Sequence, residues 1–283
     1  MAINLEQVKK RQVPAPKTVK RHKRHPILST FLFAVMSILI VTGAVIYGNH
    51  PQWRTAQQVK KLSANHSKQA VVTADKVNSV AKQKGVTPDY TGTGGLTTTA
   101  KLLKMAKSDQ AEILRGHVAM PSFKIREAVY EGTSNHVLAI GAGMNAPNLK
   151  FGQGVVPIFA HNMGDYNSPY GATKFSALQN MTEKTALGKP IYLSDGKTVY
   201  TYKATQLAYG MPVGQMNQSL TVANTGKAKV KLIACLEDQE FWAQVKKSNY
   251  TNYTAKKRIV LTGELVNEQP LSSIDGNLQQ QLK

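Results

Sequence analysis

A run of short apolar segments between positions 117 and 266 constrains the fold of this chain more than any other feature. The segments are rich in β-branched and aromatic residues, and the Asp195-Gly196 pair between two of them is a strong hairpin signal. Eight such segments with little helix between them predict an all-β fold, an eight-stranded barrel with short helices, because closure leaves no exposed strand edge. The predicted strands are 117–123, 124–130, 136–141, 155–160, 190–194, 198–209, 229–236 and 258–266.

Other stretches predict helix, turn or tail. Residues 97–114 carry a weak apolar face that predicts a short helix, and residues 171–187 favour a helical crossover. The run Gly141-Ala142-Gly143 is interpreted as a turn, because it lacks the later glycine and the following helix of a phosphate-binding loop. Residues 269–283 are polar and predict a loose tail.

Residues 27–47 form a long apolar stretch without a charge. As a helix the stretch is about 30 Å long, the hydrocarbon thickness of a bilayer. Secretory signals have shorter apolar regions, so it predicts one N-terminal transmembrane helix, a signal anchor over 27–48. Cleavage after Gly43-Ala44 and a buried core helix are the alternatives. The basic residues 1–26 would then lie in the cytoplasm, with the C-terminal bulk outside the cell.

The formal net charge of +20 favours anionic partners such as anionic lipid or an acidic cell wall. No aromatic-rich basic stripe or zinc-finger spacing accompanies the charge, so nucleic acid is not an expected partner. Residues 49–96 are mostly small and polar and predict a stalk that lifts a folded domain, residues 97–268, off the membrane.

Cys235 is the one cysteine of the chain. It cannot form an internal disulfide, and a free thiol outside the cell is open to oxidation. Three interpretations stay open: an inert buried cysteine, an intermolecular disulfide and a reactive nucleophile. The end of a strand is a position where catalytic side chains are often mounted, and a nucleophilic thiol needs a base or cation nearby.

The candidate partners of Cys235 are His161 and Arg258. His161 follows the predicted strand 155–160, so it stands at a strand end as Cys235 does, although a lone histidine is more often structural. Arg258 begins the last strand, where a guanidinium could stabilise an oxyanion; an ordinary surface arginine is the alternative. The other histidines are expected in the tail and the stalk or as structural residues: His22, His25, His50, His66, His117 and His136.

The order of these motifs resembles the class A sortases of Gram-positive bacteria, which are eight-stranded β-barrel transpeptidases. The resemblance covers residues 116–268 and rests on GHVAMPSFKI, VLAIGAGM, FAHN around His161, KLIAC around Cys235 and RIVLTGEL from Arg258. Lys231 and Ala234 replace the two threonines of the family's Thr-Leu-x-Thr-Cys segment, and Ala160 stands where Gly or Ser is usual.

This resemblance implies a cysteine transpeptidase that acts on surface proteins with an LPxTG-type sorting signal. Cys235 would attack the Thr carbonyl, Arg258 would stabilise the oxyanion, and His161 would exchange protons with the leaving and entering amines. The acceptor would be an amine of a lipid-linked peptidoglycan precursor, and residues 27–47 would contact the membrane. No cofactor is required. Calcium stays open but unsupported: some relatives use an acidic loop pocket, and Glu127, Glu131 and Asp165 do not convincingly assemble one.

Two other functions compete with this one. A hydrolytic wall peptidase of the papain type usually places Cys before His, whereas L,D-transpeptidases carry a Ser-x-Gly-Cys segment that is absent here. A non-catalytic, membrane-anchored cell-wall protein would leave the strand-end residues unexplained.

The loop 236–257 carries four aromatic residues, Phe241, Trp242, Tyr250 and Tyr253. They either form part of the wall of a substrate site or form a hydrophobic lid that has no ligand role.

Overall fold

The computed structural model describes residues 26–49, 51–92, 99–108, 110–163, 174–221, 226–249 and 254–283. The chain divides into two compact units, one ending at Asn49 and the other beginning after it. The first contains helix α1 (Pro26–Asn49), which exposes large apolar side chains such as Phe31 and Phe33. Within the described ranges, no helix has both the length and the apolar character needed to cross a membrane.

The second unit is built on a closed eight-stranded barrel, which confirms the predicted architecture. Its strands are β1 (Leu114–Met120), β2 (Ile125–Glu131), β3 (Ala142–Met144), β4 (Val155–Phe159), β5 (Pro190–Ser194), β6 (Thr198–Pro212), β7 (Lys229–Cys235) and β8 (Lys257–Pro270). They follow one another around the barrel in the order β1-β2-β3-β4-β7-β8-β6-β5. Strand β3 is parallel to β2 and β4 is parallel to β7, and the other neighbours are antiparallel.

Short helices surround the barrel. They are α2 (Pro51–His66), α3 (Val77–Lys84), α4 (Thr99–Ala106), α5 (Asn135–Ile140), α6 (Glu183–Ala186), α7 (Val213–Thr221), α8 (Gln239–Lys247) and α9 (Gly276–Gln281). Single 3-10 turns cover Ala74–Lys76, Pro121–Phe123, Ser176–Asn180 and Leu271–Ser273. The predicted helix 97–114 is shorter than expected: α4 ends at Ala106, and Leu114 already belongs to β1.

The barrel interior is filled by inward-facing side chains from strands that lie side by side. Ile158 pairs with Leu232 across β4 and β7, and Leu232 pairs with Leu261 across β7 and β8. All three are fully buried. Burial of each such side chain stabilises the fold by about 1.5–3 kcal/mol, so this core holds together the strands that lead to the candidate site residues.

The predicted strand 136–141 is wrong, because these residues form helix α5 instead. The side chain of Ser134 accepts a hydrogen bond from the backbone N–H of Val137 (3.2 Å) and caps the helix. An apolar run this short does not distinguish a buried strand from a buried helix, whereas a capping serine favours the helix.

The interpretation of Gly141-Ala142-Gly143 as a turn is also wrong, because Ala142 and Gly143 belong to β3. Gly143 pairs with Tyr130 on one side and Phe159 on the other. A Cβ atom at Gly143 would collide with the carbonyl oxygen of Gly132. A strand therefore fits here only because the residue has no side chain.

The segment expected to be a stalk packs onto the barrel instead. Val59 of α2, and Val77 and Ala81 of α3, are buried, and Val59 belongs to one apolar cluster with Leu114 and Tyr130. The few apolar residues of this segment therefore suffice to dock its helices.

The C-terminal tail is ordered rather than loose. Strand β8 continues to Pro270, and Leu271 and Leu282 are buried against Ala119 and Val199. In the predicted crossover 171–187, residues 174–187 form a 3-10 turn and the short α6, whereas residues 164–173 lie outside the described part of the chain.

Candidate active site

Strand pairing brings His161, Cys235 and Arg258 to one edge of the barrel. The parallel pair β4–β7 sets Phe159 beside Ile233, and the backbone N–H of Ala160 donates to the carbonyl of Ile233 (3.1 Å). His161 and Cys235 therefore leave their strands at the same level. In the antiparallel pair β7–β8, Cys235 lies directly opposite Arg258.

The three side chains line one cavity of about 260 Å³. Its apolar wall includes Phe159 and Ile233 from the strands, Leu138 from α5 and Met216 from α7. The three residues predicted to act together thus share a single, partly enclosed space, as a multi-residue catalytic site requires.

Hydrogen bonds through two amide side chains hold the loops that follow His161 and Cys235. Asn162 Nδ2 donates to the carbonyl of Cys235 (3.0 Å) and to Gln179 Oε1 (2.7 Å). Gln179 Nε2 in turn donates to the carbonyl of Glu237 (3.2 Å), and Gln179 Oε1 accepts from the backbone N–H of Glu237 (3.2 Å). Sequence reasoning missed both amides, although Asn162 lies within the FAHN stretch.

Hydrogen bonds to backbone carbonyls fix the position of the Arg258 guanidinium. Its Nη1 donates to the carbonyl of Ala255 (2.7 Å) and to that of Lys257 (3.1 Å). The residue is buried, so it is not the ordinary surface arginine that was the alternative. A fixed guanidinium is better suited than a mobile one to stabilise developing charge, because it needs no reorganisation.

The thiol and the imidazole both favour their neutral forms in the substrate-free site. Burial raises the pKa of Cys235; the positive charge of Arg258 opposes this and Glu237 adds to it. Burial, and then the nearby Lys174, lower the pKa of His161 to about 4. The substrate-free site therefore holds a neutral thiol and a neutral imidazole, and the lowered pKa makes His161 a weak base for the thiol proton until substrate binding changes its surroundings.

Lys174 is a buried cation close to the site that the sequence did not indicate. Its ammonium lies 3.3 Å from Glu127 Oε2, and its backbone N–H donates to Glu127 Oε1 (2.8 Å). The next residue, Phe175, donates its backbone N–H to the carbonyl of His161 (3.1 Å). The Lys174–Glu127 pair thus anchors the chain that returns to His161.

Residues 90–92, which belong to the segment expected to be a stalk, also line the cavity. The hydroxyl of Tyr90 donates to Glu131 Oε1 (2.7 Å), and the carbonyl of Asp89 accepts from the backbone N–H of Thr133 (2.6 Å). Gly92 packs so closely on Thr133 that a Cβ atom would collide with its carbonyl. This segment therefore forms one wall of the site.

The loop 236–257 packs apolar side chains against the candidate nucleophile Cys235. Phe241 of α8 packs with Val245 and Ala255 in a cluster that Cys235 also contacts. Trp242 is partly exposed and stacks edge-on against Phe241, with ring centroids 5.3 Å apart. Tyr250 and Tyr253 lie outside the described residues.

The acidic residues considered for calcium have other partners. Glu127 is paired with Lys174, whereas Glu131 pairs with Arg115 in a buried salt bridge. Asp165 lies outside the described residues. Among the described side chains, His66, Glu112 and His136 are grouped as metal ligands could be, and none of the three lines the cavity of Cys235.

Comparison with known proteins identifies the same region of the chain. The model of the family "Sortase domain" matches residues 118–266. Sortase A of Streptococcus agalactiae serotype III (strain NEM316) is 23% identical over 260 residues, which cover 91% of this chain and 94% of that protein. Sortase A of Listeria monocytogenes serovar 1/2a (strain ATCC BAA-679 / EGD-e) is 23% identical over 246 residues, covering 87% and 91%.

Similar solved structures include the crystal structure of Listeria monocytogenes sortase A, which is 23% identical with a TM-score of 0.44 and covers 59% of this chain and 94% of that one. The crystal structure of sortase C-3 from Streptococcus pneumoniae is 18% identical with a TM-score of 0.44, and the match covers 82% of this chain and 93% of that one.

Proposed function

Because this chain belongs to the sortase family, we propose that it is a cysteine transpeptidase that joins proteins bearing an LPxTG-type signal to an amine acceptor. The observation that carries the proposal is the meeting of Cys235, His161 and Arg258 at adjacent strand ends in one cavity. These residue types supply a nucleophile, an acid/base and an oxyanion stabiliser, which are the requirements of acyl transfer.

The first half-reaction forms a thioester. The proton of Cys235 passes to His161, and the thiolate attacks the Thr carbonyl carbon of the signal. The resulting oxyanion lies beside the guanidinium of Arg258. As the Thr–Gly bond breaks, His161 gives its proton to the departing Gly amine, and the acyl group stays on Cys235.

The second half-reaction releases the product. An amine, which we assign to a lipid-linked peptidoglycan precursor, enters the cavity and loses a proton to His161. It attacks the thioester carbonyl, and as the new amide forms, the Cys235 sulfur leaves as a thiolate and takes the proton back from His161. One amide replaces another, so the exchange requires no external energy source.

The N-terminal region suits a membrane anchor. Residues 27–47 carry no charge, and α1 exposes Phe31, Phe33 and Leu39, whose contact with water is unfavourable. We place residues 1–26 in the cytoplasm and the barrel outside the cell. Tethering to the membrane would raise the effective concentration of membrane-held substrate and lipid-linked acceptor.

Mass spectrometry of the products tests this function. The full chain in detergent is incubated with an LPxTG peptide and an oligoglycine amine, with Cys235→Ala as the matched inactive variant. We expect a product in which the added amine is joined to the Thr carbonyl, formed only by the wild type. Cleavage without transfer at saturating amine would identify a peptidase. No reaction with a panel of signal variants would contradict catalysis.

A further inference from the structure

A cluster of two histidines and a glutamate lies away from the active site, where α2 and α5 approach the beginning of β1. His66 is the last residue of α2, His136 lies on α5, and Glu112 precedes β1. Glu112 and His136 are buried. The side chain of His66 is 25% exposed, so solvent and ions can reach the cluster on that side.

The two imidazoles each approach one oxygen of the Glu112 carboxylate. His66 Nδ1 lies 2.6 Å from Glu112 Oε1, and His136 Nε2 lies 3.2 Å from Glu112 Oε2. The two rings meet edge to face with their centroids 5.4 Å apart. All three ligand atoms lie within 4.8 Å of one another.

The hydrogen bonds of His136 orient one nitrogen toward the Glu112 carboxylate. Its Nδ1 lies 2.8 Å from the carbonyl oxygen of Met105, which can only accept, and 2.8 Å from the hydroxyl of Ser108, which can donate or accept. A hydrogen on Nδ1 satisfies both neighbours. In the neutral ring, Nε2 then presents a lone pair toward the oxygen of Glu112. Two lone pairs that face each other require a cation between them, either a proton or a metal ion. Metal-binding histidines donate their other N–H to a backbone carbonyl in the same way.

A second layer of side chains holds the carboxylate. Gln69 donates its amide nitrogen to Glu112 Oε1. Lys84 donates to Gln69 Oε1 (2.9 Å) and to the carbonyl of Glu112 (2.9 Å). Glu112 is therefore fixed in orientation from outside the cluster, as carboxylate ligands of metal ions are.

We propose that His66, Glu112 and His136 bind one zinc ion, with water as the fourth ligand. Two imidazole nitrogens and a carboxylate oxygen suit zinc rather than calcium, which prefers oxygen ligands only. The ion would tie α2 to the barrel. An imidazolium–carboxylate network without metal explains the same contacts and makes the opposite prediction for metal binding.

Isothermal titration calorimetry with zinc, and cobalt absorption spectra, test the site on the untagged full chain in detergent. We expect one zinc per chain, an intense visible band with cobalt typical of four-coordination, and a Tm increase of roughly 5–10 °C at about a hundredfold excess over Kd. His66→Ala and His136→Ala should lose the ion. Gln69→Ala should bind it about 10–100-fold more weakly.

The double variant His22→Ala/His25→Ala is the matched control, since it removes two histidines outside the cluster. It should bind zinc like the wild type. Failure of the wild-type chain to bind stoichiometric metal would leave only the imidazolium network. Binding that survives both His66→Ala and His136→Ala, or that is lost in the control, would place any metal elsewhere. His66→Ala keeps the test informative if His136→Ala fails to fold, because His66 is partly exposed.

Discussion

His161 and His117 have nearly the same environment but different positions. They expose 6% and 4% of their surface. The pKa of each histidine is lowered to about 4. Burial is the larger cause in both, and a nearby cation adds to it: Lys174 for His161 and Arg126 for His117. A hydrogen bond with the backbone of Ser67 raises the pKa of His117 and so opposes these effects. Only His161 lines the cavity of Cys235. A lowered pKa therefore reports burial near a cation, and position beside the thiol separates the candidate catalytic histidine from the other.

The largest expected difference between the two histidines is in catalysis. His161→Gln should lower kcat/KM by about 10²–10⁴-fold, because it removes the group that accepts and returns the proton. His117→Gln, the matched replacement of a buried histidine, should change kcat/KM less than about threefold. Steady-state transpeptidation by both variants measures this. Equal losses would mean that His161 acts through structure alone.

The arginines near the two sites extend the comparison. Arg258→Ala should lower kcat about 10²–10³-fold, the usual effect of losing an oxyanion donor. Arg258→Lys should recover little, since an ammonium cannot reproduce the fixed guanidinium. Arg126→Ala, the control beside His117, should leave kcat nearly unchanged. Thermal unfolding of each variant separates a catalytic loss from a folding defect, and a kcat for Arg258→Ala within a few-fold of wild type would contradict the oxyanion role.

The two histidines should behave alike in the pH dependence of stability. Their pKa is about 4 when folded and about 6.5 when unfolded, so the unfolded chain binds more protons between these values. The contribution of each histidine to the unfolding free energy is therefore complete above about pH 6.5 and is lost as the pH falls toward 4. From pH 7 to pH 5, each histidine should cost about 2 kcal/mol of unfolding free energy.

Urea unfolding of the wild type, His117→Gln and His161→Gln at pH 7 and pH 5 measures this effect. Each replacement should reduce the difference between the two pH values by about 2 kcal/mol, whatever its effect at pH 7. An unchanged difference in either variant would show that its histidine does not have the lowered pKa.

The smallest expected effect concerns Asn162, which has no counterpart beside His117. Asn162→Ala removes the hydrogen bonds to the carbonyl of Cys235 and to Gln179. Each is worth about 1 kcal/mol, so kcat/KM should fall about five- to tenfold with little change in KM. Asn162→Asp keeps the size of the side chain but cannot donate, and it should be similarly impaired. Full activity of both variants would leave the amide without a positioning role.

Much of the barrel could be predicted from local pattern. Seven of the eight predicted strands overlap observed strands, because alternating apolar residues and the Asp195-Gly196 turn are local signals. The eighth prediction failed at α5, where a short apolar run suits either structure and the helix follows from the Ser134 cap. Strand-end position marked the three candidate site residues, and the resemblance to the sortases implied their roles.

Contacts between distant segments were beyond the sequence pattern. Lys174 lies near His161 through its pairing with Glu127, and residues 90–92 reach the cavity because they dock beside Thr133. His66 was assigned to a stalk, yet docking of α2 brings it to Glu112. No spacing along the chain encodes these approaches.

The sequence by itself determined that this chain makes a barrel of short strands and that one thiol, one strand-end histidine and one strand-end arginine are available for chemistry. Periodicity and residue type are local properties, so they can be read along the chain. The tertiary structure decided which side chains share the cavity of Cys235, which cations lower the pKa of the buried histidines, and which helices close around the barrel. Those outcomes depend on packing between residues far apart in sequence, where burial and charge act through space.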